Sequence, residues 1–166
     1  MSKCVKCGNE LQDGWKVCPF CGETIKEETK PEQQNANTNP EILDREAVDG
    51  YYAIKFYDKV MPSLLYYAEH GDGQCCEYLG RMYFMGEGVD KDMAKSFYWY
   101  KKGAEAGDVE SQRMMGDAYR PGGGSFYELE LEDKELSKYW YKKAAEQGDE
   151  FSQEMLDFMI KWDEEH

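Results

Sequence analysis

Four of the six cysteines have the spacing of a metal site. Cys4-Val5-Lys6-Cys7-Gly8 and Cys18-Pro19-Phe20-Cys21-Gly22 are two C-x-x-C pairs, separated by ten residues that include the turn-forming Gln12-Asp13-Gly14. A two-residue spacer lets two sulfurs on one tight turn reach the same ion, and two such turns supply four thiolates at the corners of a tetrahedron, about 2.3 Å from it. Gly8 and Gly22 allow the positive φ that each turn requires. Thiolate softness favours one zinc ion held by Cys4, Cys7, Cys18 and Cys21, and iron in the same turns is the alternative. A redox reading of either pair would need a βαβ context, which is missing. So short a segment cannot bury enough apolar surface to fold alone, so metal binding, on the order of 10 kcal/mol, would be its folding energy.

Elsewhere the residues that could carry catalysis do not converge. The histidines are His70, beside a helix-ending glycine, and His166, the last residue, and neither has a partner at triad or metal-ligand spacing. Cys75 falls at a small core position and is read as a buried thiol, with Cys76 partly exposed. Glu27-Glu28 and Glu164-Glu165 are solvated charge, and Gly122 to Gly124 follow no strand and make no phosphate cradle. The reading is a non-enzymatic protein without catalytic residues or an organic cofactor.

The net charge of −14 and pI of about 4.6 oppose attraction to nucleic-acid phosphates or anionic lipid. Near the cysteines, Lys3, Lys6, Lys16 and Lys26 are outnumbered by Glu10, Asp13, Glu23, Glu27 and Glu28, so no basic stripe forms, and Trp15 and Phe20 are expected to pack over the metal. The chain opens MSKCVKCG without a leader pattern and has no run of about 18 apolar residues, so a cytoplasmic protein without a membrane span is expected.

The elements that must position a binding surface are repeats. Tyr98 to Asp108, YWYKKGAEAGD, returns as YWYKKAAEQGD from Tyr139 to Asp149, and Gly-Asp recurs at 71, 107 and 148. Repetition at this period marks stacked helical pairs. Residues 1–25 form the metal module, 26–40 a polar flexible linker with Pro31 and Pro40, and 41–166 the helical domain. The pattern predicts a helix over Glu41 to Asp58, with Ile42, Val48, Tyr52 and Phe56 on one face, and a second helix from Pro62 to Gly71. It then predicts helices over Gly73 to Met85, from Asp90 or Asp92 to Ala104, and over Glu150 to Trp162. Gly80 in mid-helix implies a close helix crossing, and Trp99 and Trp140 are expected in the core.

The cysteine module resembles short zinc ribbons, with a β-hairpin between CxxCG and CPxCG. Leu79-Gly80, Tyr83, Gly86, Gly88-Val89, Asp92, Trp99-Tyr100, Lys102, Ala104, Glu105 and Gly107-Asp108 resemble the Sel-one-like repeat, a cousin of the tetratricopeptide repeat. The match continues through Trp140-Tyr141, Lys143-Ala144-Ala145-Glu146 and Gly148-Asp149. The resemblance implies an all-α array of antiparallel helix pairs, behind a zinc-ribbon β-hairpin, in a bacterial protein. Asp157 stands where the family has glycine, so the last helix is expected to be a cap with a wetter outer face. Tyr78, Met114 and Met155 occupy one equivalent column and are either inter-repeat core or ligand contacts. The longer connection from Pro121 to Asp133 is either a binding loop presenting Phe126 and Tyr127 or an insertion folded onto the core. The function expected is an adaptor that binds a protein or peptide on its repeats. The alternative is a translation- or transcription-associated factor whose ribbon contacts nucleic acid.

Overall fold

A computed structural model describes residues 41–122 and 124–165, together with the backbone of two short strands, β1 (Ser2–Lys3) and β2 (Glu10–Leu11). The strands pair antiparallel, with Ser2 opposite Leu11 and Lys3 opposite Glu10. Apart from Glu10–Leu11, the predicted hairpin between the two cysteine pairs lies outside the described residues, as does the 26–40 linker. Contacts divide the chain into two compact units, residues 1–69 and 70–166.

The first unit contains α1 (Arg45–Ala53) and α2 (Tyr57–Glu69). This corrects the single helix expected from Glu41 to Asp58. Asp44 caps α1 by accepting from the Ala47 amide at 2.8 Å, which sets its start, and Lys55, with φ of 59°, breaks it. Helix α2 starts at Tyr57, so Pro62 lies inside it instead of opening it. Proline lacks one N–H, but Val60, Leu64 and Leu65 are all buried, and this burial outweighs one missing bond. Val48 is buried, whereas Ile42 and Phe56, expected on its face, are exposed. The segment before α1 is tied to α2, with the Leu43 amide donating to Ser63 Oγ at 2.9 Å and the Tyr67 hydroxyl to the Leu43 carbonyl at 3.1 Å.

The second unit contains α3 (Gly73–Met85), α4 (Met93–Glu105), α5 (Val109–Tyr119), α6 (Lys134–Ala145) and α7 (Glu150–Glu165). Consecutive helices pack on one another. The recurring Gly-Asp pair works as a junction. Gly71, Gly107 and Gly148 adopt φ of 90°, 94° and 93°, which an L side chain would resist, and the next residue caps the following helix. Asp72, Asp108 and Asp149 accept from the amides of Cys75, Ser111 and Ser152 at 2.9, 2.7 and 2.8 Å.

Both helix pairs cross in the same way. A Cβ on Gly80 would lie 2.9 Å from the Tyr100 ring, and one on Gly116 would lie 2.6 Å from the Tyr141 ring. The glycine is needed so that the aromatic ring can lie flat on the helix backbone. Beside each ring a buried serine completes the crossing, with Ser96 Oγ donating to the Gly80 carbonyl at 2.8 Å and Ser137 Oγ to the Gly116 carbonyl at 2.7 Å. Each pair is also closed by a backbone bond of 2.9 Å, from Asp92 to Tyr83 and from Asp133 to Tyr119. The extra residues of the second repeat therefore all fall between Tyr119 and Asp133.

That insertion folds onto the core. Phe126 is fully buried among Met93, Tyr100, Met114, Met115 and Ala118, with its ring centroid 5.6 Å from that of Phe84 and 5.9 Å from that of Phe97. Trp99 is fully buried as expected, while Trp140 is only half-buried at the edge of this cluster. Cys75 and Cys76 are both buried thiols, which corrects the partial exposure expected for Cys76. Burial pushes the Cys76 thiol up to about 11.

Candidate binding surface

Cys4, Cys7, Cys18 and Cys21 lie outside the described residues. The donor set that the sequence offers, two C-x-x-C pairs, is of the chemistry that fits a closed four-thiolate zinc site. Among the described residues no group of three or more His, Cys, Asp or Glu could hold a metal ion, so the metal reading rests on these cysteines.

The other candidate residues separate by depth. Met114 and Phe126 are buried in the core, out of reach of a partner. Tyr78 is half-buried, and its hydroxyl accepts from the Gln74 amide at 3.0 Å. Tyr127 is exposed, one residue beyond the Phe126 anchor. Met155 is half-buried on α7 and lines a groove of about 390 Å3.

The groove runs between the end of α5 and α7. Its walls are Met155, Phe158, Met159 and Trp162 on one side, and Arg120, Pro121 and Gly122 on the other, with Lys134 at the margin. Met159 is buried, whereas Phe158 is 61% exposed and Trp162 51%. Their ring centroids are 6.4 Å apart. Sequence reasoning did not single out Phe158 and Trp162. The signal was their spacing with Phe151 and Met155, at i, i+4, i+7 and i+11, which puts all four on one stripe. The expected wet outer face is therefore one side of α7 only. Asp157 is exposed there and accepts from the Gln153 amide at 2.8 Å, while the neighbouring side is apolar.

Charges hold the groove's framework. Lys134 and Lys138 both bind the Asp163 carboxylate of α7, and Arg120 Nη2 lies 3.1 Å from Asp117 Oδ1. Asp117 also accepts from the Ser125 amide at 2.6 Å, so one carboxylate orients both the groove wall and the start of the Phe126 loop. On α3, Glu77 is buried beside Arg81, with Nη2 to Oε1 2.8 Å, and burial pushes its carboxyl up to about 7 against the pull of the guanidinium. It lies on α3, which contributes no residue to the groove.

Residues 73–108 and 109–149 match the Sel1 repeat model, and residues 3–25 match the zinc-ribbon domain model. Among proteins of curated function none matches the sequence. The crystal structure of a Sel1 repeat protein from Oxalobacter formigenes is similar, with 33% identity and a TM-score of 0.55, covering 69% of this chain and 90% of that one. The paired Gly-Asp junctions and the glycine-on-tyrosine crossings of both helix pairs are thus those of two consecutive repeats, and the chain belongs to the Sel1 repeat family, with a zinc-ribbon domain at its N-terminal end.

Proposed function

We propose that this chain is a non-enzymatic protein-interaction adaptor that takes an apolar segment of a protein or peptide partner on its repeat surface. The observation that supports this most directly is the groove beside α7, where apolar walls and exposed aromatic rings meet solvent on a Sel1 array. Of the residues first singled out, Met155 and Tyr127 serve as partner contacts, and Tyr78 is half-accessible to one. The ribbon is structural in this reading: Cys4, Cys7, Cys18 and Cys21 close around one zinc ion. Zinc would cross-link the two turns there, and four thiolates leave no open position for substrate. The buried thiols Cys75 and Cys76 and the tetrathiolate site suit a reducing compartment, which favours the cytoplasm.

Affinity capture from a bacterial lysate with the full chain tests the proposal, with washes at low and moderate salt and a nuclease-treated arm. Protein partners that survive nuclease and are lost with Phe158→Ser support it. Partners that depend on nuclease-sensitive material, or that disappear with Cys4→Ser alone, would move the function to the ribbon.

A further inference from the structure

The apolar stripe of α7 has a charged border, and that border specifies what can cover it. Phe151, Met155, Phe158 and Trp162 span about 16 Å of helix, three turns at 1.5 Å per residue. Along one edge, at helical spacing, run Glu150, Glu154, Asp157, Glu164 and Glu165, all exposed, with the single Lys161 among them. Lys161 Nζ lies 3.9 Å from Glu165 Oε1, so it answers one carboxylate of five. The opposite wall carries Arg120 and Lys134, whose charges are matched by Asp117 and Asp163. The stripe is therefore bounded by net negative charge on one side and by neutralised charge on the other.

A further repeat helix does not fit here as it does elsewhere in the array. In α3 and α5 the paired helix lays a tyrosine ring on Gly80 or Gly116, and the equivalent residue of α7 is Asp157. A second copy of the chain in an antiparallel arrangement would set this acidic edge against itself, on a molecule already carrying a net charge of −14. The same charge opposes an anionic lipid surface.

We infer that the α7 face is the docking site for an amphipathic helix of about three turns in a partner protein, with apolar residues at i, i+3 or i+4, and i+7, and with Lys or Arg along the edge that meets Glu150, Glu154 and Asp157. This deepens the adaptor reading and rests on it. Apolar contact with Phe158 and Trp162 supplies affinity, and the acidic edge sets orientation and selects basic partners.

The test is selection of a phage-displayed library of random peptides about 16 residues long on the full, zinc-loaded chain. The expected result is enrichment of sequences with the apolar spacing and a basic edge. Their binding should weaken tenfold or more with Phe158→Ser or Trp162→Ser, and severalfold with Glu154→Lys/Asp157→Lys. All these positions are exposed, and circular dichroism confirms that each variant is folded. Enriched peptides that lack the basic edge, or that bind Phe158→Ser as well as the parent, would overturn the inference. So would failure to enrich any peptide, and a chain that dimerises in sedimentation and loses the dimer with Phe158→Ser would assign the face to a second copy. The lysate capture separates the two readings: if protein partners persist on Phe158→Ser, the adaptor reading stands and the α7 site falls, whereas capture of no protein by the parent defeats the adaptor reading itself.

Discussion

Replacing Gly116 by alanine tests the crossing that organises each repeat. The new Cβ would stand 2.6 Å from Tyr141 Cδ1 and 2.8 Å from Cε1, about 1 Å inside normal contact, and the ring is fully buried and cannot swing into solvent. Overpacking of this kind costs about 1–3 kcal/mol. Separating α5 from α6 also stretches the 2.7 Å bond from Ser137 Oγ to the Gly116 carbonyl, worth about 1 kcal/mol. Against this, alanine gains about 1 kcal/mol of helix propensity over glycine. The net expectation is a loss of about 1–3 kcal/mol, or roughly 4–12 °C in Tm. Gly50→Ala is the control, because its Cβ would meet nothing within 4 Å and α1 should gain up to about 1 kcal/mol. Urea and thermal denaturation followed by far-UV circular dichroism read both. Gly116→Ala as stable as the parent, alongside a stabilised Gly50→Ala, would refute the close crossing. Adding Tyr141→Leu to Gly116→Ala should recover part of the loss, since the clash goes with the ring.

Other perturbations separate the remaining parts. Trp99→Ala removes a fully buried ring and should cost about 3–5 kcal/mol, read as a large drop in urea midpoint; a shift of a degree or two in Tm would contradict the packing. Gly124→Ala would put a Cβ 1.8 Å from the Asp117 carbonyl oxygen, so the loop must lift and unseat Phe126; a loss of about 2–4 kcal/mol is expected, with faster hydrogen exchange at the Leu129 amide, which donates to the Phe126 carbonyl at 2.8 Å. Glu77 holds its proton more tightly folded than unfolded, so its contribution is full below about pH 4.5 and is lost as pH rises through about 7. Glu77→Gln should therefore gain about 2–3 kcal/mol on the parent between pH 5 and pH 8, and parallel pH profiles would exclude a raised carboxyl. The ribbon should contain one zinc per chain by elemental analysis and show no intense visible absorption, and a coloured protein would point to iron.

The repeat register, the capping aspartates and the glycine crossings were legible because each depends on a local rule. Gly107 is followed by Asp108 because one residue must take a positive φ and the next must accept from an amide of the following helix. Depth was less legible. Phe126 and Tyr127 are adjacent aromatics in one glycine-rich loop, and only the space left between α4 and α5 decides that the first is core and the second surface. Cys76 is buried although its neighbour already fills the small core position, because α3 is covered on more than one face. The break between α1 and α2 depends on one residue, Lys55, taking a left-handed conformation that composition does not signal. On α7, Asp157 marks a solvent-facing edge, and the apolar stripe beside it is set by packing, because the neighbouring helices leave Phe158 and Trp162 exposed.

The most direct test of the central claim is site-specific photo-crosslinking in a bacterial lysate, with a benzophenone amino acid at Phe158 on the groove, at Tyr139 on the exposed face of α6, and at Trp15 in the ribbon. An adaptor that binds through its α7 face should give a discrete protein adduct from position 158, with none from 139 and none from 15. Adducts from position 15 alone, or equal adducts from 139 and 158, would contradict it.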